Sequence, residues 1–187
     1  VVMGLSGSGK STLVRCLSRL IEPTAGEVKI DDLDVTKMSN KDLTNLRRNR
    51  MSMVFQHFAL LPHMSVLGNV AFPLEIQGID KKTREQRARE MISLVGLSGR
   101  EDYYPRELSG GQQQRVAIAR ALISRPSIVF ADEPTGNLDS ENAAEVIRHL
   151  AEFHRGGGTV VLVTHGAATD AHADRTLRLE QGRLVGN

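Results

Sequence analysis

The chain has 187 residues, of which 40% are hydrophobic and 25% are charged, which fits one globular unit or one core that carries a small subdomain. Its 24 basic and 22 acidic residues leave a net charge of +2, a balance too even for charge alone to predict nucleic-acid binding. A single cysteine excludes an internal disulfide, and no apolar run approaches the ~20 residues that span a bilayer. With no secretion signal at the start of the sequence, we expect a cytosolic protein.

Apolar spacing and turn residues predict an alternation of strands and helices along the chain. Predicted helices cover residues 11–20, 41–50, 82–95, 112–124 and 141–153. Predicted strands cover residues 1–3, 27–35, 52–55, 128–131 and 159–164, and a hairpin over 175–185 turns at Gln181-Gly182. Strand–helix–strand alternation predicts an α/β fold with a parallel sheet. Since residues 1–3 have the pattern of a strand's end, we expect an N-terminally truncated fragment.

A glycine-rich stretch over residues 4–12 follows the first strand and precedes a helix. It matches G-x-x-x-x-G-K-[ST], the phosphate-binding loop. Its backbone N–H groups would face phosphate oxygens, Lys10 would reach the β- and γ-phosphates, and Ser11 would bind Mg²⁺. The predicted nucleotide-binding residues are Gly4, Ser6, Gly7, Ser8, Gly9, Lys10, Ser11 and Thr12.

Two acidic residues follow the apolar run 128–131, at the point where a buried strand would end. Ligands of open α/β sheets bind at the carboxyl ends of the strands. Asp132 is therefore a candidate Mg²⁺ ligand, and Glu133 is a candidate general base for an attacking water. Together with the phosphate loop, this pattern predicts an ATP-hydrolysing site.

A second glycine pair occurs in Leu108-Ser109-Gly110-Gly111-Gln112, before a predicted helix. This sequence resembles the signature of ABC transporter ATPase subunits, and the resemblance covers nearly the whole chain. It implies a P-loop NTPase (RecA-like) α/β core over residues 1–59 and 111–187, a helical signature subdomain over about 60–110, and a largely truncated N-terminal β-subdomain. It also implies that the signature of one subunit closes over ATP and Mg²⁺ held by a second, identical subunit.

Three further positions resemble elements of that family. Gln56 matches the Q-loop glutamine, which is expected to contact Mg²⁺ and to link the site to the membrane subunit. Asp139 matches the D-loop, and His165 matches the switch histidine expected at the γ-phosphate. The implied catalytic set is Glu133, His165 and Gln56, and the implied metal set is Ser11, Gln56 and Asp132. Gly166 stands where the family usually has aspartate.

Two transporter types compete in the resemblance. The segment from residue 1 to about 122 is similar to ATPases of glycine betaine/proline importers, and the segment from about 128 onwards is similar to those of lipoprotein-releasing and macrolide exporters. We favour the importer, because the region between Gln56 and the signature, where such ATPases dock their membrane subunits, is importer-like. A DNA-repair or translation ATPase is disfavoured, since the sequence has one phosphate loop and no inserted heptads.

The importer interpretation implies transmembrane permease subunits and a periplasmic substrate-binding protein as partners, and no nucleic acid. It also implies a peripheral position on the cytoplasmic face of the inner membrane.

Overall fold

The computed structural model describes residues 1–165 and 171–185. The strands are β1 (Val2–Met3), β2 (Lys29–Ile30), β3 (Leu33–Asp34), β4 (Met51–Phe55), β5 (Ile128–Asp132), β6 (Thr159–Thr164), β7 (Leu177–Glu180) and β8 (Arg183–Val185). The α-helices are α1 (Lys10–Leu17), α2 (Asn40–Asn49), α3 (Val66–Ile76), α4 (Lys81–Leu94), α5 (Gly110–Leu122) and α6 (Ser140–Arg155). Short 3₁₀ turns cover Val35–Lys37 and Pro105–Glu107.

Six strands form the main sheet in the order β4-β5-β6-β1-β7-β8. Neighbouring strands from β4 to β7 run parallel, and only the last pair of that sheet, β7 and β8, is antiparallel. Because parallel strands end at a common edge, the chain segments that follow β1, β4, β5 and β6 emerge side by side. The predicted α/β fold with a parallel sheet is confirmed.

Helix α5 belongs to two hydrophobic cores at once. One face carries Val116 and Ala119 into a helical cluster with α3 and α4. The opposite face carries Ile118 into a cluster with β5 and α6. A third cluster, around Phe130, fills the other side of the sheet beneath α1 and α2. Because α5 is packed on both faces, it connects the helical subdomain rigidly to the sheet.

Two predicted elements differ from the observed ones. Helix α1 ends at Leu17, before the predicted end at residue 20, because Arg19 takes a left-handed conformation with φ of 56°. The predicted strand over 27–35 is instead the two-stranded hairpin β2–β3, which reverses at Asp31, also left-handed with φ of 53°. In each case a single residue outside the usual backbone regions ends the regular element.

Helix α3 was not predicted from the sequence. It contains Pro73 within its length, and proline ordinarily ends or kinks a helix. Its residues are also mostly apolar, so they show little contrast between one face and the other. The helix forms because the helical cluster buries Val70 and Leu74 completely. Packing therefore overrides a weak local signal.

None of the helices within the described residues is long and apolar enough to cross a membrane.

Helix α6 buries an ionisable side chain in its last half. His149 is 6% exposed, and its Nε2 has no hydrogen-bond partner among the described residues. Burial lowers the pKa of His149 from its ordinary value of 6.5, and the nearby Arg148 lowers it further, against the opposing effects of Glu152 and Glu145. The unfolded chain therefore takes up a proton that the folded chain excludes.

We predict that folding stability falls as the pH drops below 6.5, the ordinary value for the His149 side chain. His149→Leu should reduce this dependence, because it removes the group whose protonation the fold opposes. The measurement is the melting temperature at about pH 7.5 and about pH 5.5. His63→Leu, at an exposed histidine, is the control and should keep the parent dependence. An unchanged pH dependence in His149→Leu would contradict the prediction.

Candidate functional site

The loop between β1 and α1 has the backbone of a phosphate-binding loop. Gly7 and Gly9 have φ values of 79° and 98°, which a side chain would make unfavourable. Gly4 is required for a different reason, since a Cβ there would lie 2.3 Å from the carbonyl oxygen of Leu179. Residues 5–7 of the loop are exposed to solvent.

The ammonium group of Lys10 is buried and surrounded by oxygen atoms. Its Nζ donates to the carbonyl oxygens of Gly4 at 2.8 Å and Leu5 at 2.9 Å. It also lies 3.4 Å from Oε1 of Glu133, while the lysine side chain is only 5% exposed. Three acceptors thus hold a cation at the first turn of α1, where phosphate oxygens would compete for the same protons.

Asp132, the last residue of β5, faces the start of α1. Its Oδ1 accepts a hydrogen bond from Ser11 Oγ at 2.6 Å, and its Oδ2 lies 3.4 Å from Nη2 of Arg15. A hydroxyl and a carboxylate are hard oxygen ligands of the kind Mg²⁺ takes together with substrate phosphates and water, so these residues fit that ion. Arg15 was not predicted, although its i,i+4 spacing from Ser11 on one helix places both on the same face.

Glu133 is held in an uncommon conformation directly after the strand. Its φ is 50°, and its N–H donates to the carbonyl oxygen of Val163 at 3.0 Å. A left-handed conformation costs about 1–2 kcal/mol for a residue with a side chain. His165 donates from Nδ1 to Oε2 of Glu133 at 2.5 Å. The carboxylate is therefore turned into the site and fixed from both sides, by Lys10 and by His165.

Gln56 directly follows β4 and lies at the same edge of the sheet as Glu133. Its carbonyl oxygen accepts a hydrogen bond from Asn137 Nδ2 at 3.1 Å. A Cβ at Gly136 would come within 2.9 Å of Gln56 Nε2, so a side chain there would push the end of the Gln56 side chain aside. Asn137 was not predicted, because its partner lies 81 positions away in the sequence.

An open pocket of about 550 Å³ joins these groups. It is lined by Leu5, Ser6, Gly7, Gly9, Lys10, Ser11, Thr12, Gln56, Glu133 and His165. Beneath the loop, Ser8 Oγ is buried and has no hydrogen-bond partner in the described part of the chain. The fold thus brings the predicted phosphate loop, base, glutamine and histidine into one cavity. Gly166, the predicted departure from the family pattern, lies outside the described residues.

The signature residues lie elsewhere. Ser109 caps helix α5, since its Oγ accepts from the N–H of Gln112 at 3.3 Å and its own N–H donates to Gln112 Oε1 at 3.0 Å. Leu108 is buried in the helical cluster. None of residues 108–112 is among the residues that line the pocket of the same chain. Any contact between the signature and a nucleotide must therefore come from a second molecule or from a large movement.

Asp139 caps helix α6 next to the signature. Its two carboxylate oxygens accept from the backbone N–H and the side-chain Nδ2 of Asn142, at 2.9 Å and 2.7 Å. These hydrogen bonds lower the pKa of Asp139. Gly111 of the signature packs directly on Asn142, so the signature and the predicted D-loop share a contact within one chain.

In this chain a glycine loop leads from a parallel strand into a helix that begins with lysine, and an acidic pair follows a strand two places away in the sheet. This is the arrangement of P-loop NTPases, and the chain is one of them. The family model described as ABC transporter matches residues 1–136. The chain therefore belongs to the ABC transporter family.

Relatives in that family are similar over most of this chain. It is 59% identical over 169 residues, 88% of its length, to the trimethylamine N-oxide transport system ATP-binding protein of Ruegeria pomeroyi, of which it covers 49%. It is 48% identical over 187 residues, 99% of its length, to the glycine betaine transport ATP-binding protein of Bacillus subtilis, of which it covers 45%. The methionine import ATP-binding protein of Carboxydothermus hydrogenoformans is 45% identical over 98% of the chain, which covers 55% of that relative. The chain thus spans about half the length of these curated relatives.

A solved structure has the same fold. It is a dimeric post-hydrolysis state of an ATP-binding cassette bound to ADP and Pi, with a TM-score of 0.90 and 39% sequence identity. The match covers 98% of this chain and 81% of that one.

We predict that Gly111→Ala destabilises the chain by about 1–3 kcal/mol, because overpacking forces neighbouring atoms to move. The new Cβ would lie 2.1 Å from Oδ1 and 2.9 Å from Cβ of Asn142, so a side-chain rotation alone does not clear the space. Urea denaturation measures the loss. The control is Gly110→Ala, whose Cβ would meet Phe58 Cζ at an ordinary 3.6 Å. Asn142→Ser should restore part of the loss, and equal stabilities of the two alanine variants would contradict the prediction.

Proposed function

We propose that this chain binds ATP with Mg²⁺ in the pocket above α1 and hydrolyses it to power a transporter. The observation that carries the proposal is the meeting of Lys10, the Ser11–Asp132 pair and Glu133 at one sheet edge. A lysine, a metal-ligating pair and a carboxylate base are the parts that phosphoryl transfer to water requires.

In the proposed reaction, the loop N–H groups and Lys10 bind the phosphates and hold them in line with a water molecule. Glu133 accepts a proton from that water while the water oxygen bonds to the γ-phosphorus. The bond from the γ-phosphorus to the bridging oxygen then breaks, which releases ADP. His165 orients Glu133 through the Nδ1 hydrogen bond. When bound, Mg²⁺ would neutralise phosphate charge, and Ser11, Asp132 and Gln56 are the residues that would hold it.

We further propose that two copies close over ATP, with Ser109 and the adjoining glycines of one copy facing the nucleotide of the other. The capped N-terminus of α5 presents backbone N–H groups that suit an anion. Its separation from the pocket of its own chain supports an arrangement between two chains, and the dimeric state of the solved relative supports it as well.

We predict that Glu133→Gln retains ATP binding and loses hydrolysis by about 10²–10⁴-fold, since only the proton acceptor is removed. ATP should then accumulate a dimer, measurable by size-exclusion chromatography with light scattering. Lys10→Ala, which removes the phosphate contact, should neither bind ATP nor dimerise with it. Glu90→Gln, at an exposed glutamate on α4, is the charge-matched control and should hydrolyse at the parent rate. Parent-rate hydrolysis by Glu133→Gln would refute the assignment of the base.

A groove of about 420 Å³ lies beside β4, between the sheet and the helical subdomain. Its apolar lining includes Met53, Phe55, Leu61, Phe72 and Ile76. The same groove is bordered by the side chains of Arg47, Arg48 and Arg120. An apolar floor with a basic border suits a short amphipathic helix that carries an acidic residue. We propose that transmembrane permease subunits dock here, which places the protein peripherally on the cytoplasmic face of the inner membrane.

We propose an importer, served by a periplasmic substrate-binding protein, with glycine betaine/proline-type osmoprotectants as the substrate class. The support is the similarity to the glycine betaine and trimethylamine N-oxide ATP-binding proteins, whose named substrates are both small methylated zwitterions. Methionine import is also represented among similar relatives. The exporter-like sequence of the C-terminal third leaves a lipoprotein-releasing or macrolide-type exporter as the alternative.

We predict that a hybrid of the Bacillus subtilis relative, with its matched segment replaced by this chain, supports growth in high salt with added betaine in cells that lack that ATPase. The replaced segment carries the proposed docking groove, so the hybrid should bind the permease that fits the groove of this chain. The same hybrid with Glu133→Gln is the negative control for hydrolysis. Failure in this strain together with rescue of a strain deficient in lipoprotein release would instead assign the chain to the exporter class.

A further inference from the structure

The loop that follows β4 turns through two consecutive residues of left-handed conformation. Phe58 has a φ of 58° and Ala59 a φ of 49°. Neither is glycine, and a left-handed conformation is uncommon for residues with a side chain. A backbone of this kind persists only where surrounding contacts impose it. The turn begins two residues after Gln56, whose side chain lines the nucleotide pocket.

One arginine binds both residues of the turn. Arg120, in the last turn of α5, donates from Nη2 to the carbonyl oxygen of Phe58 at 3.0 Å and from Nη1 to that of Ala59 at 2.7 Å. The planar guanidinium thus bridges the two strained peptides with two hydrogen bonds, which a lysine ammonium does not reproduce with the same geometry. These partners are 62 and 61 positions apart in the sequence.

The same helix anchors the start of the loop. Gln114, completely buried on α5, donates from Nε2 to the carbonyl oxygens of Phe55 at 3.4 Å and Pro134 at 2.5 Å. Gln56 therefore lies on a short segment whose two ends are both bound by α5. The signature residue Ser109 caps the other end of this helix, and the 13 residues from Gly110 to Leu122 form one unbroken rod.

We propose that Arg120 is a positioning residue: it holds the left-handed turn at Phe58 and Ala59, and through that turn it fixes Gln56 at the nucleotide pocket. A helix with both faces packed moves as a unit. If the signature end of α5 is displaced, Arg120 therefore moves with it and displaces the turn to which its guanidinium is hydrogen-bonded. The inference rests on the proposed ATP hydrolysis for its functional consequence, and on the backbone geometry and the Arg120 hydrogen bonds for its structural part.

The structural part is tested by hydrogen exchange of the amides of residues 56–61 in the nucleotide-free chain. Arg120→Lys keeps the charge but loses the bidentate grip, and should speed exchange in this segment by about ten-fold, the scale of one lost hydrogen bond to a charged group. The matched control is Arg87→Lys. Arg87 also donates to a carbonyl oxygen, that of Ile123 just beyond α5, which lies outside residues 56–61. Equal exchange in both variants would overturn the proposal.

The functional part is tested by kinetics with a second-site change. Arg120→Lys should lower kcat by about ten-fold while the affinity for ATP stays within about two-fold. The affinity is kept because the proposed phosphate contacts come from the loop between β1 and α1, which does not involve Arg120. Ala59→Gly, which takes the left-handed conformation without a side-chain penalty, should recover most of that kcat in the Arg120→Lys background and not in an unrelated slow variant such as Glu133→Gln.

A general loss of folding would lower the melting temperature and ATP affinity of Arg120→Lys together, and Ala59→Gly would not repair it. That outcome overturns the proposal. If the parent chain itself does not hydrolyse ATP, the proposed function fails, while the exchange experiment still decides whether Arg120 holds the turn.

Discussion

The ammonium of Lys10 joins the two halves of the site. It reaches two carbonyl oxygens of its own loop and, at 3.4 Å, the carboxylate of Glu133. A cation so well buried is stable only where acceptors surround it, and the loop alone supplies just the carbonyl pair. The carboxylate comes from the end of β5, which is separated from β1 by one strand. The site thus depends on the register that sets β1, β6 and β5 side by side in parallel, since a slip in either pairing would move Glu133 away.

Close packing between elements leaves little space at three glycines. A side chain at Gly4 would meet the carbonyl of Leu179, one at Gly136 would meet Gln56, and one at Gly111 would meet Asn142. In each case the neighbour belongs to a segment distant in sequence. The glycines of the phosphate loop with positive φ are selected by backbone conformation, whereas these three positions are selected by the space left between elements. The signature and the cap of α6 are linked by the last of them.

Helix α5 connects the parts of the site that do not touch the pocket of the same chain. Its N-terminus carries Ser109, one face is buried in the helical subdomain, and the other is buried against the sheet. Its polar side chains Gln114 and Arg120 bind the loop that carries Gln56. A helix packed in two cores has little freedom to rotate independently. In the proposed arrangement, a displacement of either end of α5 therefore also moves the loop that carries Gln56.

The amino-acid sequence by itself determined the parallel α/β class, the phosphate loop, the acidic pair after β5 and most helices, because each depends on the chemistry and spacing of neighbouring residues. It also indicated the ABC family through the signature. The sequence did not indicate α3, because Pro73 weakens the local signal and the helix is fixed by burial of its apolar residues. Nor did it indicate the β2–β3 reversal at Asp31, a single residue of left-handed backbone.

Tertiary structure alone decided which polar side chains support the site. Asn137 reaches Gln56 across 81 positions and Arg120 reaches Phe58 across 62, and no local pattern connects such residues. Arg15 stood one helical turn from Ser11, but only the approach of β5 gave it Asp132 as a partner. The physical reason is that a hydrogen bond requires proximity within a few ångströms, and proximity between distant segments exists only after the sheet and helices have packed.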